Sequence, residues 1–382
     1  MDARADESAA QSVHKLKLAI EDLIETYGSG YREGPQYLTR LDALLPALKP
    51  GSHQAREDLE ALRREALLAN PALLELPGIL VVQRKPKDPR SPAVMTAEDE
   101  RIGYSAGLAR DIAMPLNHEC NASLERTGYD DRIALVDPRT PEVALEQVYR
   151  PEHGGYVGQL DLDFNARYVL FTQSDETNWK LFEWDLAQAR LRQVSKMPDD
   201  VDCMDGAYMP NGDIIFGSTA SYQSVPCWHG RKRVSNLYVM KRDGTGVRQV
   251  CFDQDHDFHP TILNDGQVLY QRWDYTGICH IFLRQLMAMN PDGTRQRAIY
   301  GSNSWYPNSL YFPRALPGEA NEIVSILSGY HGAHRAGQLV LLDVDAGWHD
   351  ASGIVRRISG KGDPITPKIK DALVNGDWPL FL

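Results

Sequence analysis

The chain has no apolar run close to the roughly 18 residues that cross a bilayer, so no membrane-spanning helix is expected. It has no Cys-x-x-Cys. Its five cysteines, Cys120, Cys203, Cys227, Cys251 and Cys279, are odd in number and far apart. That excludes a ribbon-type zinc site, a thioredoxin-like motif and a c-type haem attachment site, and leaves buried free thiols as the expectation. No basic and apolar leader opens the chain; the first residues, MDARADESAAQS, are acidic, and no export signal is visible. A Walker phosphate loop and a His-Glu-x-x-His zinc motif are also missing. Positive charge is in short supply: 41 Lys and Arg face 52 Asp and Glu, a net charge of −11. Such a surface repels a phosphate backbone, so no nucleic-acid partner is expected. The remainder is ordinary for a globular protein, with 42% hydrophobic and 24% charged residues among 382. That length suits two or three domains, or one large β domain with an extension.

Residues 1–77 read as helical. Leu16, Ile20, Leu23 and Ile24 recur at helical spacing before a Gly28-Ser-Gly30 stop. Tyr37, Leu38, Leu41, Leu44, Leu45 and Leu48 make a second helix ending at Pro50-Gly51. Ser52 is placed to cap a third, carrying Leu59, Leu62, Leu67 and Leu68 up to Asn70-Pro71. These helices hold no residues of evident chemistry.

From Gly78 the texture changes to short apolar runs separated by Gly, Asp and Asn, and two kinds of run repeat. One appears at Arg132–Asp137, Lys180–Asp185, Asn236–Met240, Gln285–Met289 and Gln338–Asp343. The other appears at Gly78–Val82, Arg167–Thr172, Gly212–Gly217, Gly266–Gln271 and Asn321–Ile326. Turn dipeptides such as Asn211-Gly212 and Asp265-Gly266 precede the second kind, as tight hairpins require. A period of about 50 residues with several short strands per copy predicts an all-β β-propeller, because a small sheet hides both faces only by stacking against its copies. The units fall at 78–150, 155–202, 203–255, 256–307 and 308–360, with a Pro-, Asp- and Gly-rich insertion, roughly 86–130, in the first. The expected organisation is a helical segment 1–77 and a propeller 78–382 with about five visible blades. It would be either a closed five-bladed ring or an incomplete six- or seven-bladed one. The apolar end at Trp378–Leu382 suggests a chain cut within a larger protein.

Several stretches form a recognisable series: Asn117-His-Glu-Cys-Asn121 with Arg126-Thr-Gly-Tyr129, Ser218-Thr-Ala220 with Val225-Pro-Cys227, Asn236-Leu-Tyr238 and Phe252-Asp-Gln-Asp255. It continues in Tyr270-Gln-Arg-Trp-Asp-Tyr275, Met289-Asn-Pro-Asp-Gly-Thr294, Tyr300-Gly-Ser-Asn-Ser304 and Gly329-Tyr-His-Gly332. Over roughly residues 60–382 the series resembles the propeller-bearing middle region of the hydrazine synthase alpha subunit family, whose repeats are TolB-like. The resemblance implies a propeller and a bacterial, periplasmic or otherwise extracytoplasmic setting. In the absence of an export signal the cytoplasm stays open. Redox chemistry in that family belongs to c-type haems, and this chain has no Cys-x-x-Cys-His to hold one. Haem would have to come from another region.

Candidate metal ligands are Cys227 and His229, a Cys-x-His pair on one loop, and His256 and His259 in Asp253-Gln-Asp-His-Asp-Phe-His259. Zinc is the cation such donors suit. Cys203, His118 or Asp205 could complete a set with the first pair; the alternative for the second is a polar loop joining two blades. His118, His331 and His334 are candidates for a ligand-facing loop, the last two because glycines beside them allow close approach. Cys279 and His280 read as a strand-end pair with opposite-facing side chains. Asp161, Asp163 and the Asp253–Asp257 stretch are acidic enough for calcium, but they do not match the EF-hand pattern and read as solvated turns. The favoured function is a non-catalytic scaffold or binding module that docks a protein domain or subunit on a propeller face or open edge. No cofactor is assigned to it. The alternative is a fragment of a metal- or haem-dependent redox enzyme.

Overall fold

The computed structural model describes residues 2–49, 52–85, 113–116, 119–139, 144–174, 177–226, 230–274, 284–302, 309–328, 335, 337–349 and 351–357, with the backbone alone for 2–11. It is a five-bladed β-propeller of antiparallel sheets with an N-terminal helical segment. The chain divides into two compact units, Met1–Val81 with Ile133–Val148, and Val82–Arg132 with Tyr149–Leu382.

In the first unit, α1 (Asp2–Tyr27), α2 (Gly34–Leu44) and α3 (His53–Leu68) pack on one another, and a short α4 (Pro71–Leu74) follows. The periodic apolar residues meet as expected: Leu16, Ile20 and Leu23 of α1 share a core with Tyr37 and Leu41 of α2 and Leu59 and Leu62 of α3. Buried Tyr31 donates its hydroxyl to the Ala66 carbonyl at 2.8 Å, tying the α1–α2 turn to α3. Ser52 holds the N-cap position of α3, yet its side chain makes no capping bond. Asn70 does cap, accepting from the Ala72 N–H at 3.0 Å. The strands β1 (Ile79–Gln83), β2 (Arg132–Val136) and β3 (Leu145–Tyr149) form the first blade in that order.

The second unit carries four blades of four strands, each a simple meander. They are β4 (Gly158–Leu162), β5 (Tyr168–Ser174), β6 (Trp179–Asp185) and β7 (Arg190–Gln193); β8 (Cys203–Tyr208), β9 (Ile214–Ser218), β10 (Asn236–Met240) and β11 (Arg248–Gln249). Next come β12 (Asp257–Ile262), β13 (Val268–Trp273), β14 (Arg284–Met289) and β15 (Arg297–Tyr300); then β16 (Ser309–Ala315), β17 (Glu322–Ser328), β18 (Gln338–Asp343) and β19 (Ile354–Arg357). First strands of neighbouring blades touch: β4 meets β8, β8 meets β12 and β12 meets β16. They therefore line the hub.

Burial explains the apolar runs. Every residue of β9, β10, β13 and β14 is buried. One face of the third blade packs Ile214, Phe216 and Tyr238 against Leu170 and Leu181 of the second. Its other face packs Ile215, Leu237 and Val239 against Val268, Tyr270 and Met287 of the fourth. The opposite face of the fourth then meets Leu310, Ile323 and Val340 of the fifth through Leu269 and Leu286. Each such large side chain contributes about 1.5–3 kcal/mol when fully buried. In β6 and β18 every second residue is only half-buried.

Polar bolts join blades at the rim. Arg192 donates to the Arg242 carbonyl at 3.1 Å, and Arg248 donates to the Asp292 carbonyl at 2.9 Å, the same contact one blade on. Buried Glu183 accepts from Arg192 of its own blade and from Arg242 and the Tyr208 hydroxyl of the next, at 2.7–2.8 Å. Burial alone would raise its pKa, but these donors hold it below the ordinary value.

The Asp243-Gly-Thr245 turn carries the neighbour's contact. Gly244 has φ +84°, and a Cβ there would lie 2.2 Å from the Val194 carbonyl of the preceding blade. Gly266 has the same φ in open space. Gly266→Ala should cost about 1–2 kcal/mol for its left-handed backbone alone. Gly244→Ala should cost about 1–3 kcal/mol more, from the clash. Urea unfolding of the two variants measures the difference, and equal losses would contradict the packing of that turn.

Candidate functional site

Each first strand in the second unit carries a bulge. The register of β4 on β5 shifts between Gly158 and Asp161, and that of β8 on β9 between Met204 and Ala207. The same shift falls between Phe258 and Thr261 in β12 and between Tyr311 and Arg314 in β16. At the same place in every bulge one non-glycine residue takes positive φ: Gln159 (50°), Asp205 (54°), His259 (47°) and Phe312 (50°). A bulge re-aims a side chain, and here it aims neighbours at one another. His259 Nδ1 lies 3.4 Å from Asp205 Oδ2, and the His259 and Phe312 rings are 4.1 Å apart between centroids.

Arg335 completes the arrangement. Its side chain is fully buried; Nη1 lies 3.1 Å from His259 Nε2, and Nη2 donates to the Glu119 carbonyl. The guanidinium also sits 4.2 Å above the Phe258 ring. A guanidinium only donates, so His259 Nε2 must accept. The neutral imidazole then carries its proton on Nδ1, facing Asp205. The result is a carboxylate–imidazole pair whose far nitrogen is capped by a cation.

The insertion in the first blade reaches this hub. Cys120 packs with Met204 and Phe258, while Ala113, Leu124 and Tyr129 pack with Tyr156 and Trp179. Glu119 and Lys232, both buried, pair at 3.2 Å. Arg126 lies 3.1 Å from Asp202, whose carboxylate also accepts the Trp179 N–H at 2.9 Å. The described part of the insertion is therefore a packed plug.

Desolvation sets the protonation of the hub. Burial pushes Asp205 up to about 6 against the pull of Arg335, and the same burial, with the Arg335 and Arg314 charges, holds His259 well below its ordinary value. Asp205 Oδ1, Arg335 Nε and both amide atoms of Asn121 have no hydrogen-bond partner among the described residues. Bound water satisfies such atoms in protein interiors.

Two of the candidate metal ligands, His256 and His259, lie among the described residues, and both contact other parts of the fold. His256 precedes β12; its Nδ1 accepts the Ser235 N–H at 3.1 Å, and its ring stacks on Phe258 and Trp273. His259 lies within β12, not in a connecting loop, and both its nitrogens face partners. Asp253 and Asp257 neutralise Arg272, at 2.5 and 2.9 Å. Asp161 accepts the Tyr208 N–H at 2.8 Å, and Asp163 accepts from Arg167 and Tyr168 in its own turn. Among the described residues no group of three or more His, Cys, Asp or Glu is disposed to hold a metal ion. Cys203 is buried, and its thiol is pushed up to about 12. His118, Cys227, His229, Cys279, His280, His331 and His334 lie outside the described residues.

Sequence reasoning missed Arg335, Phe312, Glu119 and Lys232. The signal for one position was present: a proline directly follows the bulge residue in His259-Pro260 and Phe312-Pro313, one repeat apart. It also missed Gly103-Tyr-Ser-Ala-Gly107, which has the spacing of a hydrolase nucleophile elbow. Such a serine sits on a strand-to-helix turn of an α/β sheet, and this pentapeptide lies outside the described residues.

No protein-family model matches the chain, and no curated protein matches it in sequence. Solved structures do match. Hydrazine synthase from Kuenenia stuttgartiensis superposes with a TM-score of 0.53 at 16% identity, over 74% of this chain and 39% of its own. The chain thus spans about two fifths of the length of that protein, and at this identity the likeness is one of fold. TolB from Acinetobacter baumannii matches more weakly, with a TM-score of 0.38 at 15% identity over 78% of this chain and 69% of its own. An oligogalacturonate lyase in complex with manganese gives 0.40 at 14% identity over 63% of each chain.

The hub makes a signed pH prediction. The raised carboxyl of Asp205 binds its proton more tightly in the folded state, so it adds stability as pH falls through about 6. The depressed His259 does the reverse: the unfolded chain takes up its proton first, and stability falls as pH drops below the ordinary histidine value. The two slopes oppose. Asp205→Asn should lose stability relative to the parent between pH 7.5 and 5.5, by up to about 1.4 kcal/mol per pH unit. His259→Gln should gain relative to the parent over the same range. Urea midpoints at both pH values check this, and identical slopes in all three proteins would contradict it.

Proposed function

We propose that the chain is a non-catalytic β-propeller scaffold or binding module, a propeller of residues 78–382 bearing a helical head of residues 1–77. One observation carries the reading. An aspartate–imidazole pair works as a base through the far nitrogen of the ring, and that nitrogen in His259 faces the Arg335 guanidinium at 3.1 Å. The chemistry-bearing groups at the hub are used to hold blades and plug together. A propeller face or an open edge is then the surface for a protein domain or subunit. The motif series supports placing the module in an extracytoplasmic protein of the hydrazine synthase alpha kind.

The competing reading is a fragment of a metal- or haem-dependent redox enzyme. The two differ in metal content. Purified, folded chain should contain no stoichiometric zinc or iron by elemental analysis, and Cys227→Ser should change neither metal content nor melting temperature. Stoichiometric metal in the parent that disappears in Cys227→Ser would overturn the scaffold reading.

A further inference from the structure

We propose that a basic pocket in the second unit binds a small, multiply charged anion, either a phosphate ester or a di- or tricarboxylate. The pocket encloses about 400 Å³ and is lined by Gln83, Arg84, Lys85, Asp130, Arg132 and Arg150. That volume falls in the range of small-ligand sites. It suits a compact molecule better than an extended peptide.

Charge selects the ligand. Four cations line the pocket and one carboxylate, Asp130, lies among them. Asp130 is matched by Arg150, at 2.5 Å. Arg84 is matched by Asp131 at 2.9 Å, donates to the Val157 carbonyl at 2.6 Å and lies 4.5 Å over the Tyr156 ring, so its charge is fixed in place. Among the described residues Arg132 donates to the neutral Gln83 side chain and to no carboxylate, and the exposed Lys85 has no polar partner. Two positive charges at the pocket are therefore uncompensated, in a chain whose net charge is −11. A net negative charge repels anions at long range, whereas a recessed cationic wall concentrates them locally. A guanidinium fork matches the two oxygens of a carboxylate or phosphate, and the Arg132 fork is the one free to turn to a ligand.

Isothermal titration calorimetry of the full chain at fixed ionic strength tests the site, with inorganic phosphate, citrate and a glutamate-rich peptide as probes. The expected result is saturable binding of phosphate or citrate. Whichever binds more tightly identifies the source of the anion. Arg132→Gln should weaken binding about tenfold. Arg190→Gln, on the exposed β7, should leave it unchanged. If Arg132→Gln lowers the melting temperature, Lys85→Gln on an exposed side chain serves instead and should also weaken binding. Failure of both small anions to bind saturably, binding of the peptide alone, or equal weakening by Arg190→Gln would overturn the proposal. None of these results bears on metal content, so the scaffold reading stands or falls separately.

Discussion

A carboxylate, an imidazole and a guanidinium share the desolvated hub, and each is tolerable there because of the other two. Alone, a buried Asp205 or Arg335 would carry a desolvation cost of several kcal/mol. Together they place opposite charges on either side of a neutral ring that donates to one and accepts from the other. The bulge supplies the geometry: left-handed residues at matching positions of β8 and β12 bring Asp205 and His259 within 3.4 Å. The bulges in turn are held in place by sheets packed face to face, whose middle strands are buried throughout in the third and fourth blades.

This use of charge shapes what the molecule can do. An Asp–His pair in a protein interior invites a catalytic interpretation, and a strongly shifted carboxyl strengthens the invitation. The proposed scaffold reading rests on the Arg335 donor, which faces the nitrogen that would meet a substrate. The plug uses the same principle with different residues, Glu119 with Lys232 and Arg126 with Asp202. The pocket beside Arg132 differs in having more cations than carboxylates in its lining, and the proposed anion site rests on that difference.

The repeat was legible because stacking forces it. A strand hidden on both faces must be apolar at consecutive positions, so Gly212–Gly217 and Asn236–Met240 stand out, and their spacing gives the blades. Helical residues such as Leu16, Ile20 and Leu23 were legible for the same reason, at a different period. The hub was not legible. His259 and Arg335 are 76 residues apart in sequence, and neither lies in a motif that names its partner. Charge also misled. Asp253–Asp257 looks like a solvated loop, yet its carboxylates are neutralised by Arg272 from the next strand. The insertion is rich in Pro, Asp and Gly, yet its polar residues Glu119, Asn121 and Ser123 are buried within the fold. Local composition reports burial only when burial is apolar. Polar residues buried in pairs look like surface until the partner is known.

The account stands most directly on the coupling between His259 and Arg335. A double-mutant cycle with His259→Leu and Arg335→Met, read by urea unfolding at pH 7.5, measures it without reference to any ligand. A coupling of about 1–3 kcal/mol is predicted, each single replacement costing more than it does once the partner is gone. Losses that simply add, within about 0.5 kcal/mol, would show that the two side chains do not depend on each other and would contradict the account.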